Sequence, residues 1–88
     1  MDFYKTNKGE KSMNKERRKA LNEIIEQLNS LRDEVESLKD EEEYYYDAMP
    51  EGIKNSEKGE KAEDAINALD SALDSIDEAV SSIEEAIE

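Results

Sequence analysis

Side chains able to do chemistry are plentiful in this chain and almost all of one kind. Its 88 residues hold 25 Asp and Glu against 12 Lys and Arg, with neither Cys nor His. That excludes a disulfide framework, a thiolate nucleophile, an imidazole base, and the nitrogen and sulfur ligands on which zinc and most transition-metal sites depend. Carboxylate pairs suited to acid–base work recur throughout, so no single pair marks a catalytic site. The spacing of Asp70, Asp74 and Asp77 lacks the glycine and the ligand order of a calcium loop. The sequence carries neither a glycine-rich phosphate loop nor a nucleophile motif. The chain is therefore read as a non-catalytic protein without a catalytic, cofactor-binding or metal site.

Two features remain that could recognise a partner. The first is EEEYYYDAMPEG, residues 41–52. Successive helical residues are turned by about 100°, so three adjacent tyrosines cannot share one buried face. Tyr45 falls on the apolar seam described below and is expected, with Met49 and Ile53, to plug the end of the fold. Tyr44 and Tyr46 lie on its flanks and form a candidate aromatic contact patch, since tyrosine is favoured at interfaces. The second feature is charge. Residues 1–20 carry seven basic and three acidic side chains, residues 21–43 two and nine, and residues 62–88 none and nine. Laid side by side over about 40 Å of helix, the two acidic segments present one net negative charge per roughly 2.5 Å, against about 1.7 Å in duplex DNA. Such a rod could occupy a basic nucleic-acid groove, with Asp70, Asp74, Asp77, Glu78, Glu84 and Glu85 as candidate contacts. The plainer reading is a solvated face that keeps an oligomer soluble. Direct binding of nucleic acid is disfavoured, because only residues 5–19 are basic.

The elements that must position these residues follow from periodicity. Large apolar residues fall at Leu21, Ile24, Leu28, Leu31, Val35 and Leu38, in alternating steps of three and four that continue to Glu42, Tyr45 and Met49. That is a heptad seam, which no strand can use. Ser12 or Asn14 can cap its start, and Pro50 drives the preceding Met49 out of the helical region, so helix 1 is expected over about 14–47. The second periodic segment reads AINALDS, ALDSIDE, AVSSIEE, AIE. Ala65, Ala72, Ala79 and Ala86 form a column beside the seam Ile66, Leu69, Leu73, Ile76, Val80, Ile83 and Ile87, which widens the apolar face and admits a close neighbour. Asn55 or Ser56 can cap this helix, expected over about 57–87, with Glu57 and Glu60 favourably placed in its first turn.

Residues 48–56 contain the single Pro, with Gly52 and Asn55, and read as a loop in which Gly52 accepts a positive φ. A link this short predicts antiparallel neighbours, hence an all-α fold: an antiparallel two-helix hairpin, coiled-coil-like, over residues 14–88, preceded by a flexible basic extension over 1–13. Folding back would bring the acidic C-terminal end beside KERRK, residues 15–19. Seam partners should have residue numbers summing to 104 or 111; the first is preferred, because it places Glu42 at the open end instead of among leucines. Two helices alone leave much of each seam wet while ordering costs about 1–2 kcal/mol per residue, so dimerisation into a four-helix bundle is the expected completion.

No apolar run reaches the length of a membrane span, and MDFYKTNKGEKS has no apolar core of a secretory signal, so the expectation is a cytoplasmic protein without membrane contact. The residues Tyr46, Asp47, Met49, Pro50 and Glu51, then Ser56, Glu57, Lys58, Gly59 and Glu60, followed by the Ala/Ile/Leu heptads, form a pattern. In it the chain resembles a group of short acidic helical proteins, mostly uncharacterised, from phages and prophages of Gram-positive bacteria. The resemblance covers about residues 14–88. It implies a phage setting in which acidic inhibitors of host nucleic-acid enzymes are a plausible class; together with the bundle expected above and the lack of catalytic motifs, the reading is a phage-type protein of the bacterial host cytoplasm that works by binding or assembling with protein, as a homodimer. The alternative, carried by the charge spacing above, is an acidic DNA-mimicking inhibitor of a host defence or DNA-processing enzyme, of the anti-restriction or anti-CRISPR type.

Overall fold

The computed structural model describes residues 13–88, so the expected N-terminal extension lies outside the described residues except for Met13. The described residues form an all-α, elongated fold, 66 Å by 16 Å by 15 Å, with three helices among them in the order α1 (Lys15–Asp47), α2 (Glu51–Lys54) and α3 (Glu57–Ile87). Asn14 is extended, and its side-chain oxygen accepts the Arg17 amide at 2.8 Å, satisfying one of the donors a helix start leaves open. At the other end of α1 the Ala48 amide donates to the Tyr44 carbonyl and the Met49 amide to that of Tyr46, after which Pro50 stops the helix and opens α2.

The segment 48–56 is thus not wholly loop: it holds the single turn α2. Gly52 sits in that turn, outside the left-handed region and with open space where a Cβ would stand, so the expected positive φ is not used. Glycine is required instead at buried Gly59, where a Cβ would lie 2.1 Å from the Lys54 carbonyl oxygen. The end of α2 packs directly on the α3 backbone there. Ser56 occupies the start of α3, yet its hydroxyl donates backwards to the Ile53 carbonyl at 2.5 Å, while its own carbonyl accepts the Glu60 amide at 3.0 Å.

On α3 the buried face is the one its periodicity predicts. Leu73 and Val80 are buried and Ile66, Leu69, Ile76, Ile83 and Ile87 half-buried. On α1 the face is rotated from the expected one. Leu21, Leu28, Val35 and Met49 are covered as expected, but Ile24, Leu31, Leu38 and Tyr45 are exposed, with Leu31 at 52% and Leu38 at 59%. Their places are taken by Ile25, Arg32, Lys39 and Tyr46. Two of these replacements face acids of α3: the Arg32 guanidinium meets the Asp77 carboxylate at 2.6 and 3.3 Å, and the Lys39 ammonium meets Asp70 at 3.1 Å. The side chains of Arg32 and Lys39 are only 27% and 17% exposed, as expected of long cations that lay their methylene stems along an apolar surface and keep the charged head in water.

In both pairs the residue numbers sum to 109, and seven residues forward along α1 is seven residues back along α3. That sum lies two from 111 and five from 104, so the preferred 104 register does not describe the pairing, and Glu42 is half-buried instead of standing at an open end. At this sum Glu88 is level with Leu21, so residues 15–19 project past the end of α3. Among the described residues no ion pair joins that basic cluster to Glu84, Glu85 or Glu88. Arg18 turns to its own chain, donating to the Met13 carbonyl at 2.9 Å.

Candidate protein interface

The α1–α3 layer has two unlike sides. Arg32 and Lys39 follow Leu28 and Val35 by four residues, and Leu31 and Leu38 follow them by three, so these two sets flank the covered column on opposite sides. On α3, Asp70 and Asp77 stand on the flank that meets Arg32 and Lys39, and the alanine column stands on the other. A second contact fixes the assignment. Lys58, seven residues before Ala65 and so in the alanine column, places its ammonium 5.9 Å from the centre of the Tyr45 ring, which continues the column of Leu31 and Leu38. One side is therefore closed by ion pairs, and the other exposes aliphatic side chains of α1 next to the alanines of α3.

At the turn end of this apolar side lies an open depression of about 280 Å³ lined by Tyr45, Ala48, Met49, Pro50, Ile53 and Lys58. The expected end-plug is only partly built: Met49 is buried, whereas Tyr45 and Ile53 stay substantially exposed at its rim. The candidate aromatic patch is split. Tyr44 is 78% exposed, but Tyr46 is half-buried with the Lys54 ammonium 5.2 Å from its ring centre. The one-position rotation of α1 explains this, since it carries Tyr46 towards α3 and Tyr45 away.

The six acidic candidates also divide. Asp70 and Asp77 are committed to Lys39 and Arg32. Hydrogen bonding to these carboxylates, helped by their charge, raises the pKa of Lys39 and of Arg32 above their ordinary values, against a smaller opposing effect of burial in both cases. Asp74, Glu78, Glu84 and Glu85 are exposed and join no ion pair among the described residues. The surface that sequence reasoning missed is the stripe Ile24, Leu31, Leu38, which it had assigned to the interior. The signal was present in the adjacent pair Ile24 and Ile25: one of two neighbours satisfies the inner seam and the other marks a second apolar flank.

Among the described residues no group of three or more Asp and Glu gathers closely enough to hold a metal ion, and no helix is long and apolar enough to cross a membrane. No protein-family model, curated protein or solved structure matches the chain.

Proposed function

We propose that the protein is a non-catalytic interaction and assembly protein of phage type: an antiparallel helical hairpin that acts in the host cytoplasm and dimerises into a four-helix bundle. The observation that carries this reading is the run Ile24, Leu31 and Leu38, all more than 40% exposed along one flank of α1. A chain that is 42% charged has solubilising residues for every surface position. It nevertheless repeats an aliphatic one here at every second turn, as a helix does when it expects a neighbour on two sides. Sedimentation at micromolar concentration tests it: the expected mass is twice 10.1 kDa. A helical monomer that persists at high concentration would remove the bundle.

The second reading, an acidic mimic of DNA, draws on Asp74, Glu78, Glu84 and Glu85, which point to solvent and are not used in the protomer's own ion pairs. A decoy of this kind captures a basic DNA-binding enzyme and releases it steeply as salt rises. Capture from host lysate at low and high salt separates the readings, because an aliphatic contact survives high salt.

A further inference from the structure

We infer that the occupant of the aliphatic–alanine side is a second copy of this chain, related by a two-fold axis running along the bundle, so that α1 of each copy lies over α3 of the other. The inference rests on the proposed bundle and adds which faces meet and in which direction.

Level by level, this side pairs a large side chain with a small one. Ile24 with Ala86, Leu31 with Ala79 and Leu38 with Ala72 all have numbers summing to 110, within one residue of the ion-pair sum of 109. Each large residue of α1 therefore stands beside an alanine of α3 at its own height. A rotation about the long axis keeps every height and exchanges left for right. Leu31 of one copy then descends on Ala79 of the other, and Ala79 receives it in turn. A rotation about an axis across the helices instead stacks α1 on α1, leucine against leucine, and leaves the alanine columns facing each other across a gap. Only the first arrangement packs at interior density.

Charge makes the same selection. Beyond its aliphatic stripe, α1 carries Glu34 and Glu41 on the rim of this side. The lengthwise rotation sets them against Ser75 and Ala68 of the other copy's α3, again at a sum of 109, so no carboxylate meets a carboxylate. The crosswise rotation faces the two glutamate rims with each other. In a protein of net charge −13, the rim of α3 between Ala65 and Ala86 on this side consists of Ala68, Ser75 and Ser82. Every Asp and Glu of that stretch lies elsewhere on the helix. The area is also sufficient. A face about 50 Å long and about 16 Å wide offers about 800 Å² per copy, which matches a standard stable interface.

The absence of cysteine allows a direct test. A spin label on Asn22→Cys, exposed near one end of α1 and off the proposed interface, reports the direction of pairing in the full chain. With the lengthwise axis both labels sit at the same end, about 20 Å apart. With the crosswise axis they are separated by about 26 residues of rise, roughly 40 Å. A short distance supports the inference. A long one overturns it while leaving the bundle standing, and a monomer with no intermolecular distance overturns both. A pair of substitutions gives a second readout. Ala79→Leu occupies the place of Leu31 and is expected to weaken self-association at least about tenfold with the helical content of the protomer unchanged. Combining it with Leu31→Ala exchanges knob and hole and restores the dimer. Failure of the double variant to recover association, with both helices intact by circular dichroism, would sink the lengthwise arrangement.

Discussion

At the scale of single residues, two glycines of similar sequence setting have opposite roles. Gly59 has no room for a methyl group, because the Lys54 carbonyl occupies the position. Gly59→Ala must therefore push α2 off α3, and a loss of about 1–3 kcal/mol is expected for such overpacking. Gly52 has open space and a helical backbone, so Gly52→Ala should instead stabilise by about 0.4–1 kcal/mol through the unfolded chain. Urea titrations of the two variants check both signs. The ion pairs give a pH dependence. Lys39 has its pKa raised by the hydrogen bond to Asp70. A group whose pKa is higher in the folded state contributes fully below its unfolded value, near 10.4 for lysine, and loses that contribution as pH rises through the folded value. Melting temperature should therefore fall as pH rises above the ordinary lysine value of about 10.4, and Lys39→Met should flatten part of that fall.

At the scale of elements, the two helices had unequal legibility. The α3 pattern offers a single reading, since each heptad opens with Ala and a large aliphatic, places another aliphatic three residues later, and fills the rest with polar residues apart from Ala68; its buried set is Leu73, Val80 and their neighbours as the spacing implies. The α1 pattern offers two, because Leu21, Leu28 and Val35 belong to a seam closed either by Ile24, Leu31 and Leu38 or by Ile25, Arg32 and Lys39. Hydropathy chooses the first. The structure takes the second, in which Arg32 and Lys39 meet Asp77 and Asp70, partners on α3 that no count of apolar residues within α1 can register. The tyrosine patch was misplaced by the same one-position rotation. This difference predicts a separable pair of substitutions. Leu73, 5% exposed, should cost about 2–5 kcal/mol on truncation to Ala and lower the helical content. Leu31→Ala, at an exposed site, should leave the helical signal of the protomer nearly intact and reduce self-association, read by sedimentation of the two variants at matched concentration.

At the scale of the whole molecule, the sign of the response to salt follows from where the charges lie. Residues 21–43 and 62–88 together hold eighteen acidic and two basic side chains, and both of those cations, Arg32 and Lys39, already have partners. Repulsion among the remaining carboxylates spans the full length of the rod and is long-ranged at low salt, where the screening length is about 30 Å at 0.01 M against about 8 Å at 0.15 M. Exposed ion pairs contribute little and are screened over the same range. The net effect of added salt is thus to stabilise: melting temperature should rise between 0.01 M and 0.15 M NaCl, and self-association should tighten, because the proposed aliphatic–alanine interface would hold no ion pair to lose. A fall in melting temperature over that interval would mean that the pairs Arg32–Asp77 and Lys39–Asp70 outweigh the repulsion. A complex between the acidic face and a basic enzyme responds in the opposite direction, loosening as salt rises. One titration, read by sedimentation for the homodimer and by capture for the enzyme, therefore separates an assembly held by its apolar flank from a decoy held by its charge.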